Sequence, residues 1–163
     1  MVSLNQIYKY TPAKIKKVTL KTVKSIRKVR ATYNTDEYGV HQEALFKVVA
    51  TTIPRNVVVK LYGDPKLKNI YQRPVWVHCS CEWFTFFCEY PLTKRRSSKI
   101  INSNGQANRE KNPRQWPYAC KHIIAVMSKL PKIKFKLAKM KAPSDEEVEF
   151  MLNEIDKYIP GAS

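Results

Sequence analysis

Val75-Trp76-Val77-His78-Cys79-Ser80-Cys81 and, further along, Cys120-Lys121-His122-Ile123-Ile124 are the two stretches whose reading decides the fold. All four cysteines of the chain lie between Cys79 and Cys120, the fourth being Cys88. A Cys-x-Cys pair and a distant Cys-x-His pair together supply three thiolates and one imidazole. That is a full tetrahedral donor set for zinc, which takes thiolate sulfur at about 2.3 Å and imidazole nitrogen at about 2.0 Å. The first pair ends an alternating apolar run that reads as a strand. The second opens a run with helical spacing, Ile123, Ile124, Met127 and Leu130, which Pro131 stops.

Backbone geometry constrains both pairs. Residues i and i+2 of a flat strand point the same way but sit roughly 6.5 Å apart. Two sulfurs on one cation must be closer, so the chain has to turn or bulge near Ser80. On a helix, residues i and i+2 diverge by about 200°. Cys120 therefore belongs just outside the helix and His122 in its first turn. The spacing predicts one structural zinc ion, held by Cys79, Cys81, Cys120 and His122, tying a strand end to a helix start.

The pattern resembles the SWIM-type zinc finger, Cys-x-Cys, a variable spacer, then Cys-x-His. The resemblance covers roughly residues 57–130 and implies two strands and a helix, the first cysteine pair following the second strand. The spacer, Glu82 to Ala119, is longer than the family's usual one, and Cys88 is a spare thiol able to replace an assigned ligand. Buried free cysteines or disulfides are the competing readings. Clustering of every cysteine beside a well-placed histidine favours metal. His41 reads as exposed or structural, and His78, on the opposite strand face from Cys79, as a non-ligand.

The chain has 163 residues and carries 30 Lys+Arg against 13 Asp+Glu, net +17. The acids gather late: Asp145, Glu146, Glu147, Glu149, Glu154 and Asp156 face only Lys157, and none precedes Asp36. The rest of the chain is accordingly more basic than the total. Such a field attracts polyanions. The partners expected are nucleic acid, DNA rather than RNA, or an acidic protein surface. No run is long and apolar enough for a bilayer, and no apolar segment opens the chain as a secretory signal would. The expectation is an intracellular or virion protein with neither membrane nor small-molecule partners.

In chain order, residues 1–24 read as a basic N-terminal arm or helix. Met1–Tyr10 is the arm, Thr11-Pro12 enters a helix as N-cap and first position, and 12–24 stay open between helix and strand. Strands are expected at 25–33, 44–51, 57–62 and 75–78, with a turn over Asn34–Gly39 and a break at Ile53–Asn56. The architecture is α+β: a small antiparallel sheet of about four strands, a zinc-stapled helix, and a C-terminal amphipathic helix. The sheet and zinc module span 25–131, a basic linker or edge strand 132–142, and the acidic helix 143–160, opened by a Ser144–Glu147 capping box.

The aromatics Trp83, Phe84, Phe86 and Phe87 read as packing around the metal, with base stacking as the alternative. The insert from 93 to 116 holds Lys94, Arg95, Arg96, Lys99, Arg109, Lys111 and Arg114 against Glu110 alone. These are the candidate nucleic-acid or partner contacts, on a loop held mainly by the metal. No catalytic constellation is visible: the donor set leaves no open metal position, and no phosphate-cradling loop is present. The reading is a non-catalytic zinc-stabilised basic module. The Cys-Ser-Cys, Ile-Asn-Ser-Asn-Gly and Cys-Lys-His-Ile series is also similar to small tailed-bacteriophage proteins, which implies as alternative a virion structural component of neck, tail or capsid.

Overall fold

The computed structural model describes residues 1–66 and 69–137. Its centre is an antiparallel hairpin ladder, β1 (Ser25–Asp36), β2 (Gly39–Val49), β3 (Pro54–Tyr62) and β4 (Val75–Cys79). A two-residue β5 (Lys136–Leu137) adds in parallel to β1, giving the order β4-β3-β2-β1-β5. Among the described residues five α-helices accompany it: α1 (Leu4–Tyr10), α2 (Ala13–Thr22), α3 (Glu82–Phe87), α4 (Glu89–Thr93) and α5 (Lys121–Met127). The expected α+β class and four antiparallel strands are present. The expected acidic C-terminal helix lies outside the described residues.

The alternation of β-branched residues decides the faces. Phe46 and Val48, Val57, Val59 and Leu61, and Val75 and Val77 all point to one side and are buried. Ile123, Val126 and Leu130 close over them, joined by Leu4 and Ile7. Each such side chain contributes about 1.5–3 kcal/mol by leaving water. The opposite sheet face is only half covered.

Several boundaries differ from the sequence expectation, each for a local reason. Residues 1–10 are no arm: a capping box opens α1, Ser3 Oγ accepting from the Gln6 amide (3.3 Å) and Gln6 Oε1 from the Ser3 amide (2.8 Å). Residues 13–22 resolve as helix. Thr11 is the C-cap of α1 rather than the N-cap of α2, which Pro12 takes. The Thr11 hydroxyl donates to the Ile7 carbonyl (2.7 Å) and accepts from the Ala119 amide (3.0 Å), tying the helix junction to the residue before Cys120. The hairpin turn shrinks to Glu37-Tyr38, because Asp36 pairs with Gly39, whose φ of +106° suits only glycine. Pro54 opens β3 rather than breaking it, since a first strand position needs no ladder donor from that residue.

Two buried polar side chains shape the loops. Arg73 is 2% exposed and donates to the carbonyls of Leu61, Tyr62 and Gly63 (2.9, 3.0 and 2.9 Å), fixing the connection into β4. Glu89 is fully buried. Its carboxylate accepts from the amides of Ile101, Asn102 and Ser103 (3.1, 3.2 and 2.9 Å). The insert is thus bolted at its middle by a carboxylate, and further along by Asn112, which accepts from the Trp116 amide and donates to its carbonyl. The expectation that the metal is its main restraint is corrected on this point.

Glu89→Gln keeps the shape but turns one acceptor into a donor facing backbone N–H groups. It should lower stability by about 2–3 kcal/mol and expose residues 94–116 to protease at native temperature. Denaturant unfolding and limited proteolysis measure both; unchanged cleavage would mean that Glu89 does not hold the insert.

Candidate metal centre

Cys79 is the last residue of β4. The chain turns immediately after it, as two sulfurs on one ion require. The turn is pinned to β3: the Ser80 amide donates to Asn56 O (3.0 Å), Ser80 Oγ accepts from the Asn56 amide (2.9 Å), and Arg55 Nη1 donates to Ser80 O (3.2 Å). Cys81 then serves as N-cap of α3, its Sγ accepting from the Phe84 amide at 3.3 Å. A backbone donor at a helix start favours the thiolate form. Cys120 is the N-cap of α5 and His122 lies in its first turn.

These elements bring one donor atom from each of Cys79, Cys81, Cys120 and His122 to within 4.8 Å of all the others. Ligands on a tetrahedral zinc with bonds of about 2.3 Å would stand roughly 3.8 Å apart, so the set fits with a small contraction. All four residues are buried, and His122 Nδ1 has no hydrogen-bond partner among the described residues. Without a cation the three thiols compete for one another's protons. Hydrogen bonds from Cys120 and Cys79 hold the Cys81 thiol well below the usual thiol range, while burial pushes Cys120 well above it. Three thiolates together in such a place need a positive ion. The residues present can hold a metal.

Cys88 is fully buried between α3 and α4 and stands outside the donor set. Burial, then its neighbours Cys120 and Cys81, push its thiol up. His78 is not a ligand either: its ring meets Phe84 edge-on (centroids 5.3 Å), with Nδ1 3.9 Å from Glu89 Oε1. His41 is buried, with Nδ1 3.1 Å from Gly39 O. The nearby aromatics pack as expected. Phe84 is buried, and Trp83 packs at a tilt against Phe87 and Tyr118, with ring centroids 5.0 and 5.6 Å apart, leaving Phe86 outward. A cleft of about 350 Å³ borders the ligands, walled by Ile15 and Val18 of α2, Arg55, Trp83 and Lys121.

The candidate contact residues of the insert are not one patch. Lys94, Arg96, Lys99, Arg109, Lys111 and Arg114 are exposed. Arg95 is half-buried and donates to the Pro91 carbonyl (2.8 Å), which makes it partly structural. Arg96 and Lys99 share a cleft with Lys60 and Trp76, whereas Arg114 lies over Trp116 (5.4 Å), itself stacked on Tyr10. Sequence reading missed Glu89 and the cleft around Trp76. A lone acid beside Cys88 in a basic region was the available signal for the first. The second depends on strand register.

Compared with known proteins, the chain matches no family model, no curated protein and no solved structure.

Protein purified without chelator should carry about one equivalent of metal, because the donors make one four-coordinate site. Cys120→Ser should abolish that stoichiometry and Cys88→Ala should leave it unchanged, read by elemental analysis. Loss of metal in the Cys88 variant would overturn the ligand assignment.

Proposed function

We propose that this chain is a non-catalytic basic module, stapled by one zinc ion of the SWIM type, that binds nucleic acid through its basic surface, DNA ahead of RNA. The observation that carries the reading is the insert. None of its basic side chains has an acidic partner among the described residues, yet the loop bearing them is fastened by Glu89 and by the helix that begins at Cys120. Fixed, unpaired cations on a rigid support are what sequence-independent phosphate contacts need.

The choice of zinc rests on the donor set, since soft thiolates with one imidazole in a buried tetrahedron suit that ion. Four protein donors leave no position for a reacting water, which supports a structural metal and a binding role. Among the described residues no helix is long and apolar enough to cross a membrane.

Fluorescence anisotropy with a random-sequence DNA, repeated across a salt series, tests the proposal. Log affinity should fall against log salt with about −0.9 of slope for each phosphate neutralised. The triple variant Arg109→Glu, Lys111→Glu, Arg114→Glu should weaken binding to every sequence alike and flatten that slope. Negligible affinity at low salt would overturn the nucleic-acid reading, and the same loops would then serve docking on an acidic protein, as in a virion assembly.

A further inference from the structure

The outer face of the sheet is where the strand register concentrates chemistry. On β2 and β3 the residues that avoid the core are Glu43, Leu45 and Lys47, and Asn56, Val58 and Lys60. In β4 they are Trp76 and His78. The register shift between Lys28 and Arg30 puts an extra residue, Val29, into β1. Without it Arg27 and Arg30 would point to opposite faces; with it both join the outer one, Arg27 opposite Lys47 and Arg30 opposite Leu45. Like charges placed directly across a ladder repel, and neither Arg27 nor Lys47 has an acidic partner among the described residues. Arg30, by contrast, is paired with Glu43 at 2.6 Å.

At the other end of this face lies a cleft of about 630 Å³, lined by Trp76, Lys60, Tyr38, Arg96, Ser98 and Lys99, with Asp36, Glu37 and Thr93 completing its wall. Lys60 Nζ sits 5.0 Å above the Trp76 ring and 2.8 Å from Asp36 Oδ2, so Asp36 is already neutralised. Glu37 stands exposed at the rim. Ser98 is 6% exposed, and neither its hydroxyl nor that of Thr93 has a hydrogen-bond partner among the described residues. Both hydroxyl oxygens are sealed behind the cleft wall, so the groups the cleft presents to a ligand are the indole of Trp76 and the cations of Lys60, Arg96 and Lys99. The half-buried indole of Trp76 lies among cations that extend to Lys47, four residues along the strands and two strands across, roughly 16 Å away.

We infer that the outer sheet face, from the Arg27–Lys47 pair to the Trp76 cleft, binds single-stranded nucleic acid, with a base stacked on Trp76 and its phosphates held by Arg96, Lys99 and Lys47. This rests on the nucleic-acid reading above and moves the specific contact from the loop tips to the sheet. A duplex keeps its base faces stacked on one another; only a single strand can offer one to an indole.

The test uses the full metal-loaded chain and a fluorescein-labelled dT oligonucleotide of about 12 nucleotides, within the usual site size of such surfaces. Binding to the single strand should be tighter than to a duplex of the same length and should quench tryptophan fluorescence. Trp76→Leu should weaken it roughly tenfold and remove most of the quench. Should that variant fold poorly, judged by its metal content, the exposed pair Arg96→Glu, Lys99→Glu supplies the same reading through affinity alone. Undiminished binding in both variants, with loss only on reversal of Arg109, Lys111 and Arg114, overturns the sheet-face site and leaves the basic-module reading standing. Preference for duplex does the same. No binding of any nucleic acid at low salt overturns both.

Discussion

Three cysteine sulfurs and an imidazole nitrogen gathered within 4.8 Å, all on buried residues, set the terms for the rest of the molecule. Each donor comes from a place where the backbone changes direction: the end of β4, the N-cap of α3, the N-cap of α5 and its first turn. With a cation bound, mutual repulsion among thiolates becomes attraction to a shared centre, and the strand end and both helix starts are fixed by the same bonds. Helices as short as α3 and α5 would be marginal in isolation. Their persistence follows from being anchored at the first residue and packed along one face.

From that anchor the remaining surfaces are positioned. Helix α5 lies across the core face of the sheet, while the opposite face is only half covered, α3 and α4 packing on it at His78. The far edge of β4 is closed by backbone pairing, the Val75 amide donating to Val2 O and the Val77 amide to Ser97 O. The chain start and the insert therefore frame the outer face rather than cover it. The β1 edge beyond β5 carries Arg27, Lys28 and Arg30, a charged edge of the kind that discourages strand addition from another chain. The excess positive charge of the composition thus appears in the folded chain as a half-open face and a fastened loop.

The metal set, the four long strands and the helix after Cys120 were legible in the sequence because each rests on local spacing: Cys-x-Cys, period-two alternation, period 3.6. The turn at Ser80 was legible too, since ligand geometry demands it. Other features depend on partners far away in the chain. Thr11 reads as a helix N-cap until its hydroxyl is seen to take the Ala119 amide. Glu89 stands out in sequence only as a lone acid beside Cys88, and its partners, three backbone amides, leave no residue pattern that would say what it holds. The bulge at Val29 is silent in sequence, yet it decides that Arg27, Arg30, Lys47 and Trp76 share a face. The helix at Leu4–Tyr10 did carry a signal, Ser3 followed three residues later by Gln6, hidden in a short and mixed segment.

Amide hydrogen exchange with and without a chelator tests most directly whether the metal holds this architecture. The account predicts that metal removal exposes the amides of Phe84, Thr85 and Ile124, the first hydrogen bonds after Cys81 and Cys120, while the β1–β2 hairpin keeps its protection. Equal protection at these three amides in both states would contradict it, and the thiol cluster would then be a packed core feature with no structural metal.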